Sequence, residues 1–263
     1  MNTMTDLVTL NCRRLAVAWG YPDDLQAHWS PGYCEGDGVC YSGRITPPEI
    51  PLLVDGMKAR GRLDERGARI LKRLAATDRL DITLRHSGRY THSGCIDIIT
   101  DDVPGYAHGL SELFETALRE DLDCLCYEAA SEGESLLEAR WPYSYCQGDP
   151  LFCRRTGYLT VQAEITCDGG AEDFFFDDEL AYECLILLAL QQNLRFPQVK
   201  LSVTVTETGE VLASLYCNLF FRSDEPLRRK FSGFRHELKT LFAQARRSLA
   251  ERRQIYHDIR LAV

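Results

Sequence analysis

At 263 residues, 45% hydrophobic and 26% charged, the chain has the composition of a soluble globular protein. It is long enough for one large domain or for two of roughly 110–130 residues. No apolar run approaches the roughly 18–20 residues of a membrane span, and a formal charge of −9 disfavours nonspecific nucleic-acid binding, which depends on neutralising cations.

The opening residues, MNTMTDLVTLNCRRLAVAWG, hold no basic segment followed by an apolar run and a small-residue cleavage site. No signal peptide is expected, and the protein is placed in the cytoplasm of its host cell. Eleven cysteines are an odd count, which argues against a disulfide framework and for buried small apolar residues. Zinc fails on spacing. Cys34 and Cys40 are six apart, Cys146 and Cys153 seven apart, Cys124 and Cys126 two apart, and no His-x3-5-His pair accompanies them. Neither a metal nor another cofactor is expected.

Residues 1–27 read as a lead-in, with Val8, Leu10, Leu15, Val17 and Trp19 in a strand or short helix. Ala27 to Ile45 reads as a β-hairpin turning at Glu35-Gly36-Asp37-Gly38. Residues 50–77 have a helical period with a basic outer face, and Gly61 or Gly67 divides them. Residues 79–100 form a second hairpin around His86-Ser87-Gly88-Arg89. An acidic helix running through Cys126 follows.

The same order then returns. Trp141 to Thr160 reads as a hairpin, Asp177 to Asn193 as a deeply buried helix, and Lys200 to Phe221 as a hairpin turning at Thr206–Gly209. A closing amphipathic helix turns Phe234, Leu238, Leu241, Phe242, Ala245 and Leu249 inward and Arg246, Arg247, Arg252 and Arg253 outward. Trp29, Tyr33, Cys34, Gly36 and Asp37 recur as Trp141, Tyr145, Cys146, Gly148 and Asp149, at an offset of 112. The expected fold is α+β: two tandem repeats, residues 28–140 and 141–263, each hairpin, helix, hairpin, helix, with antiparallel strands and the helices on one face. No Pro/Gly/Ser-rich linker separates them, so close packing of the second on the first is expected.

The first unit carries Gly32-Tyr33-Cys34-Glu35-Gly36-Asp37-Gly38-Val39-Cys40-Tyr41, then His86-Ser87-Gly88-Arg89-Tyr90-Thr91-His92, then Leu125-Cys126-Tyr127-Glu128-Ala129-Ala130-Ser131-Glu132. Here the sequence resembles phage and mobile-element proteins labelled "antitoxin of toxin–antitoxin stability system". Those carry a Ser-Gly-Phe-x-Ser-Gln-Gly-Asp-Gly-Ala-x-Phe motif, a His-x-Gly-x-Tyr-x-His segment and an acidic helix rich in Tyr and Glu. The second unit departs from the pattern, with Pro150 in place of the last Gly and Thr206-Glu207-Thr208-Gly209-Glu210 in place of the histidines. The resemblance implies a phage-type accessory protein of the kind that binds and disables host defence machinery.

Chemistry and packing compete at each marked residue. Asp37 and Asp149 suit a partner or a metal, but equally suit turns in which the carboxylate accepts from backbone N–H groups. Trp29 and Trp141 read as core anchors. His86 or His92 with Cys34 or Cys40 would make a nucleophile pair only if the fold joined them and supplied an orienting acid. No Walker loop, His-Glu-x-x-His, Gly-x-Ser-x-Gly or Rossmann fingerprint is present. No residue is therefore expected to be catalytic, and a Cys/His enzyme is the third-ranked function.

Acidic runs at Asp101-Asp102 and Glu120–Asp123 read as solvated helix starts. In the run Glu172, Asp173, Phe174, Phe175, Phe176, Asp177, Asp178 and Glu179, acids supply steering and aromatics supply anchors. From Arg222 to Val263 there are eleven Lys/Arg against five Asp/Glu, a net of +6, leaving −15 on the first 221 residues.

The leading expectation is a binding protein that inhibits a host defence complex, of the anti-CRISPR or anti-restriction type, through acidic surfaces. Its contact residues would be 172–179 with Asp37, Asp101, Asp102 and Asp149, and its partner a host or phage complex with a basic surface. Direct nucleic-acid or membrane binding is not expected. The alternative is an antitoxin or immunity protein neutralising a cognate toxin.

Overall fold

The computed structural model describes residues 4–30, 38–77, 79–85, 95–100, 108–139, 150–166, 179–222 and 234–262. The chain divides into two compact units, Thr3–Ser135 and Leu136–Val263. Among the described residues it is mixed α+β, with six helices and antiparallel sheets.

In the first unit, α1 (Met4–Ala18) buries Leu7, Val8, Leu10, Cys12 and Leu15 and exposes Arg13 and Val17, the two-faced spacing of a helix on a core. It stops at Gly20, whose φ of +89° suits glycine and whose added Cβ would lie 2.9 Å from the Leu52 carbonyl oxygen. Four strands follow: β1 (Gln26–Ser30), β2 (Gly38–Ile45), β3 (Leu80–Arg85) and β4 (Cys95–Thr100), antiparallel in the order β1-β2-β3-β4. Ile45 pairs with Ile82, and Ile82 with Ile98. In β3, Leu80, Ile82 and Leu84 are buried while Asp81 and Thr83 are half-buried, the alternation of a sheet with one covered face.

Between the strand pairs lie α2 (Ile50–Ala59) and α3 (Glu65–Ala75), separated at residues 60–64. The Asp64 carboxylate caps α3 by accepting the Gly67 N–H at 2.6 Å. The helix α4 (His108–Ala139) is 32 residues long and continues through and beyond Cys126. Where α4 passes β1, a Cβ on Gly133 would sit 3.4 Å from the Trp29 indole nitrogen and 3.0 Å from Val8.

The second unit holds β5 (Pro150–Arg155), β6 (Leu159–Ile165), α5 (Glu179–Gln192), β7 (Leu194–Arg195), β8 (Gln198–Val205), β9 (Val211–Asn218), β10 (Phe221–Arg222) and α6 (Arg235–Ala262). Its main sheet is antiparallel in the order β5-β6-β8-β9, and β7 pairs with β10. Val161, Ala163, Ile165, Val199, Leu201, Val203 and Leu212 of the sheet share a core with Phe234, which immediately precedes α6, and with Leu241 and Ala245 on α6.

Several sequence expectations change here. The hairpin expected over 141–160 is built from β5 and β6, which pair Pro150 with Glu164 and turn at residues 156–158. α5 is not buried all round: Leu180, Leu187 and Leu188 are exposed, because only Tyr182, Leu185, Ile186 and Ala189 point into the fold. Phe242 and Leu249 of α6 lie at the edge of its contact with the sheet and are exposed. The run Glu120–Asp123 is not a helix start; it lies in the middle of α4 and contains a fully buried acid.

Candidate functional surface

Asp37, Asp101, Asp102, Asp149, Glu172, Asp173, Phe174, Phe175, Phe176, Asp177 and Asp178 lie outside the described residues. So do Trp141, Cys34, His86 and His92. Glu179 opens α5, and only its backbone is described. The described acid chemistry is concentrated on α4, which carries nine Asp/Glu and a single Arg.

One border of α4 is fastened to the first unit. Asp121, with 0% of its side chain exposed, accepts from Arg60 Nε at 2.9 Å and Nη2 at 2.7 Å, the two-pronged geometry that best repays burial of a charge. The Tyr21 hydroxyl donates to the same carboxylate at 2.9 Å. Arg60 also donates to the Trp19 carbonyl at 2.9 Å and lies over the Trp19 ring at 4.3 Å. Burial, reinforced by the neighbouring Asp121 charge, pushes the Tyr21 phenol well above its ordinary value. Three turns on, Glu132 accepts from the buried Asn11 at 2.9 Å and from Arg14 at 3.1 Å. Asp121 and Glu132 are thus occupied by the fold.

The arc of α4 that adjoins this border is open. Leu113 (69% exposed) and Tyr127 (80% exposed) share it with Glu120, Cys124, Glu128, Ser131 and Glu134. Leu113, Glu120, Tyr127 and Glu134 recur every seven residues, close to two helical turns, so they form one row. Glu120 meets Arg62 at 3.4 Å, a weak exposed pair, and no described cation pairs with Glu112, Glu128 or Glu134. A depression of about 500 Å³ runs along this helix, lined by Asp123, Cys124, Tyr127, Glu128, Ser131 and Glu132. Partial burial, then the neighbouring Glu132 charge, raise the Glu128 carboxyl above its usual range.

This exposed acidic row around a tyrosine, only partly offset by Arg62 at Glu120 and by Arg14 and Arg60 near Glu128, is suited to a basic protein surface: the carboxylates steer the encounter and the ring supplies an anchor. The sequence flagged this segment only through the quoted Tyr127-Glu128 helix end. Reading Glu120 and Asp121 as one solvated run hid the fact that, about 100° apart around the helix, one is exposed and the other buried.

The described thiols are free cysteines. Burial pushes Cys40 up to about 11 and Cys12 to about 12, and raises Cys126 further. At neutral pH these are protonated and behave as small apolar side chains, not as thiolate nucleophiles. Among the described residues no group of three or more His, Cys, Asp or Glu is arranged to hold a metal, and no helix is long and apolar enough to cross a membrane. Compared with known proteins, the chain matches no family model, no curated protein and no solved structure.

Proposed function

We infer that the chain is a phage or mobile-element accessory protein that inhibits a host defence complex, of the anti-CRISPR or anti-restriction type, by protein–protein contact through acidic surfaces. The observation that carries this reading is the open face of α4, where Glu120, Glu128 and Glu134 surround an 80%-exposed Tyr127. Such a face competes for subunits whose basic grooves otherwise grip nucleic acid. The run 172–179 would add a second acidic–aromatic contact of the same chemistry.

The decisive experiment expresses the protein in its host, recovers bound partners by affinity purification, and compares wild type with Tyr127→Ala/Glu128→Gln/Glu134→Gln. Recovery of a basic defence subunit, lost in the variant together with protection of an infecting phage, is the expected result. A partner retained equally by the variant and indifferent to salt would sink the acidic-surface reading. A cognate toxin in the recovered fraction would replace defence inhibition with neutralisation.

The two units are, in this reading, copies of one hairpin–helix–hairpin–helix plan, supported by two four-stranded antiparallel sheets that each insert helix after their second strand. The repeated Trp-x3-Tyr-Cys stretch does not carry that inference. Its offset of 112 lays β2 onto β5, whereas sheet order makes β6 the counterpart of β2.

A further inference from the structure

α6 presents more than the face it buries on its own sheet. Outside that contact, Phe242 (39% exposed) and Leu249 (41% exposed) stand seven residues apart. Beside them Lys239, Arg246 and Arg253 are exposed and also repeat every seven residues, with Arg235 and Arg247 on the same outer side. From Leu249 to Ile255 every residue is exposed, although Ile255 and Leu249 are apolar. Among the described residues Arg252 pairs with Glu210 at 2.6 Å, while Arg235, Lys239, Arg246, Arg247 and Arg253 meet no carboxylate within ion-pair distance.

An apolar row flanked by cations at heptad spacing is what one helix offers to another whose facing residues are acidic. The same chain carries such a row. On α4, Glu120 and Glu134 are fourteen residues apart with Tyr127 midway. On α6, Lys239 and Arg253 are fourteen apart with Arg246 midway. Both intervals are about 21 Å along a helix. In either direction of approach each glutamate meets a cation, and the Tyr127 ring meets Arg246 with Phe242 and Leu249 alongside. A polyphosphate would fit the cations, but the −15 on the first 221 residues repels it.

We propose that α6 of one molecule docks on the open α4 face of a second copy, giving a salt-sensitive self-association. The contact joins unlike faces, so two copies close it reciprocally or extend it head to tail. It covers the acidic row assigned above to a host partner, and self-association therefore competes with partner binding. The proposal rests on that face being open, not on the identity of its partner.

The test is the solution mass of the full-length protein by sedimentation equilibrium, in about 50 mM and about 500 mM salt, where screening differs severalfold. Wild type should reach twice the monomer mass or more in low salt and fall to the monomer in high salt. Arg246→Glu/Arg253→Glu and Glu120→Lys/Glu134→Lys should each be monomeric alone, because one carries two acidic faces and the other two basic ones. Mixed in equal amounts they should associate again. Far-ultraviolet circular dichroism confirms folding, and Arg246→Gln/Arg253→Gln gives a milder variant with association weakened about tenfold.

A monomer at low salt, association that survives in either charge-reversed variant, or a mixture that stays monomeric overturns the proposal. So does retention of a labelled oligothymidylate through Arg246 and Arg253 without any change in protein mass. Capture of the host partner by monomeric Arg246→Glu/Arg253→Glu, whose α4 is intact, reports on the proposed function separately.

Discussion

Asp121 and Glu128 lie seven residues apart on one helix and carry the same charge, yet the fold uses them oppositely. Asp121 is fully buried, held by two prongs of Arg60 and the Tyr21 hydroxyl. Glu128 is exposed beside Tyr127 with no described cation paired to it. The cysteines of the same stretch divide similarly: Cys126 is buried, and Cys124 is exposed with Arg62 Nη2 at 2.9 Å. An acidic helix is therefore not one surface. Asp121 and Glu128, only about 20° apart around the helix axis, mark the border where the side that holds the helix down gives way to the exposed side.

The sharpest way to break the contrast is Asp121→Ala. It leaves the Arg60 guanidinium without its counter-charge in a largely buried site, a loss of about 3–5 kcal/mol. Urea denaturation should show it as a fall in midpoint at unchanged slope. Glu128→Ala, assayed in parallel, should move the midpoint little. Equal losses at both positions would mean that α4 is held down on both sides, and the open face would disappear from the description.

Next in size is Gly56→Ala. A Cβ there would stand 2.4 Å from the Trp19 carbonyl oxygen, which is backbone and cannot swing away. The same carbonyl accepts from Arg60 Nη1, so separating α2 from the end of α1 also disturbs the arginine that holds Asp121. Overpacking of this kind costs about 1–3 kcal/mol, read as a drop in thermal midpoint. The control is Gly157→Ala, where an added Cβ meets nothing within 4 Å.

Neither the Asp121 site nor the Gly56 contact is legible in the sequence, and the reason is physical. Period-two and period-3.6 patterns report which side of an element faces a core. They located β3, the break between α2 and α3, β8 with β9, and the buried Phe234, Leu241 and Ala245 at and just before α6. Such patterns do not report which acid meets which arginine across 61 residues, as Asp121 and Arg60 do. They also mislead where apolar residues outnumber the buried positions available. α5 is apolar nearly all round, yet Leu180, Leu187 and Leu188 are exposed. The repeated Trp-x3-Tyr-Cys stretch lies largely outside the described residues, and its offset of 112 lays β2 onto β5 although sheet order makes β6 the counterpart of β2.

A smaller effect is expected from Tyr21→Phe, which deletes one hydrogen bond to Asp121 and leaves both Arg60 contacts in place. About 1 kcal/mol at neutral pH is the expected loss. The pH dependence identifies the cause. The folded-state phenol is raised above its unfolded value near 10, so its contribution is complete below about pH 10 and is lost as pH rises through the folded value. Wild type should therefore lose stability more steeply than Tyr21→Phe above pH 10. Parallel alkaline limbs for the two proteins would detach Tyr21 from the Asp121 site.

The smallest stability effect, and the most informative about use, belongs to Glu128→Gln. Partial burial and the Glu132 charge raise the Glu128 carboxyl in the folded state. Its contribution is therefore fully present below the unfolded value near 4.3 and is lost as pH rises through the folded value. At neutral pH the ionised group opposes folding slightly, so glutamine should leave the urea midpoint unchanged or a little higher and flatten its pH dependence over that window. Partner capture should move the other way, because a steering charge at the edge of Tyr127 is gone. Stability and capture that fall together would mean that Glu128 serves the fold as Asp121 does. Opposite movements would mean that the helix keeps this carboxylate against its own stability, which places the benefit in what the face binds.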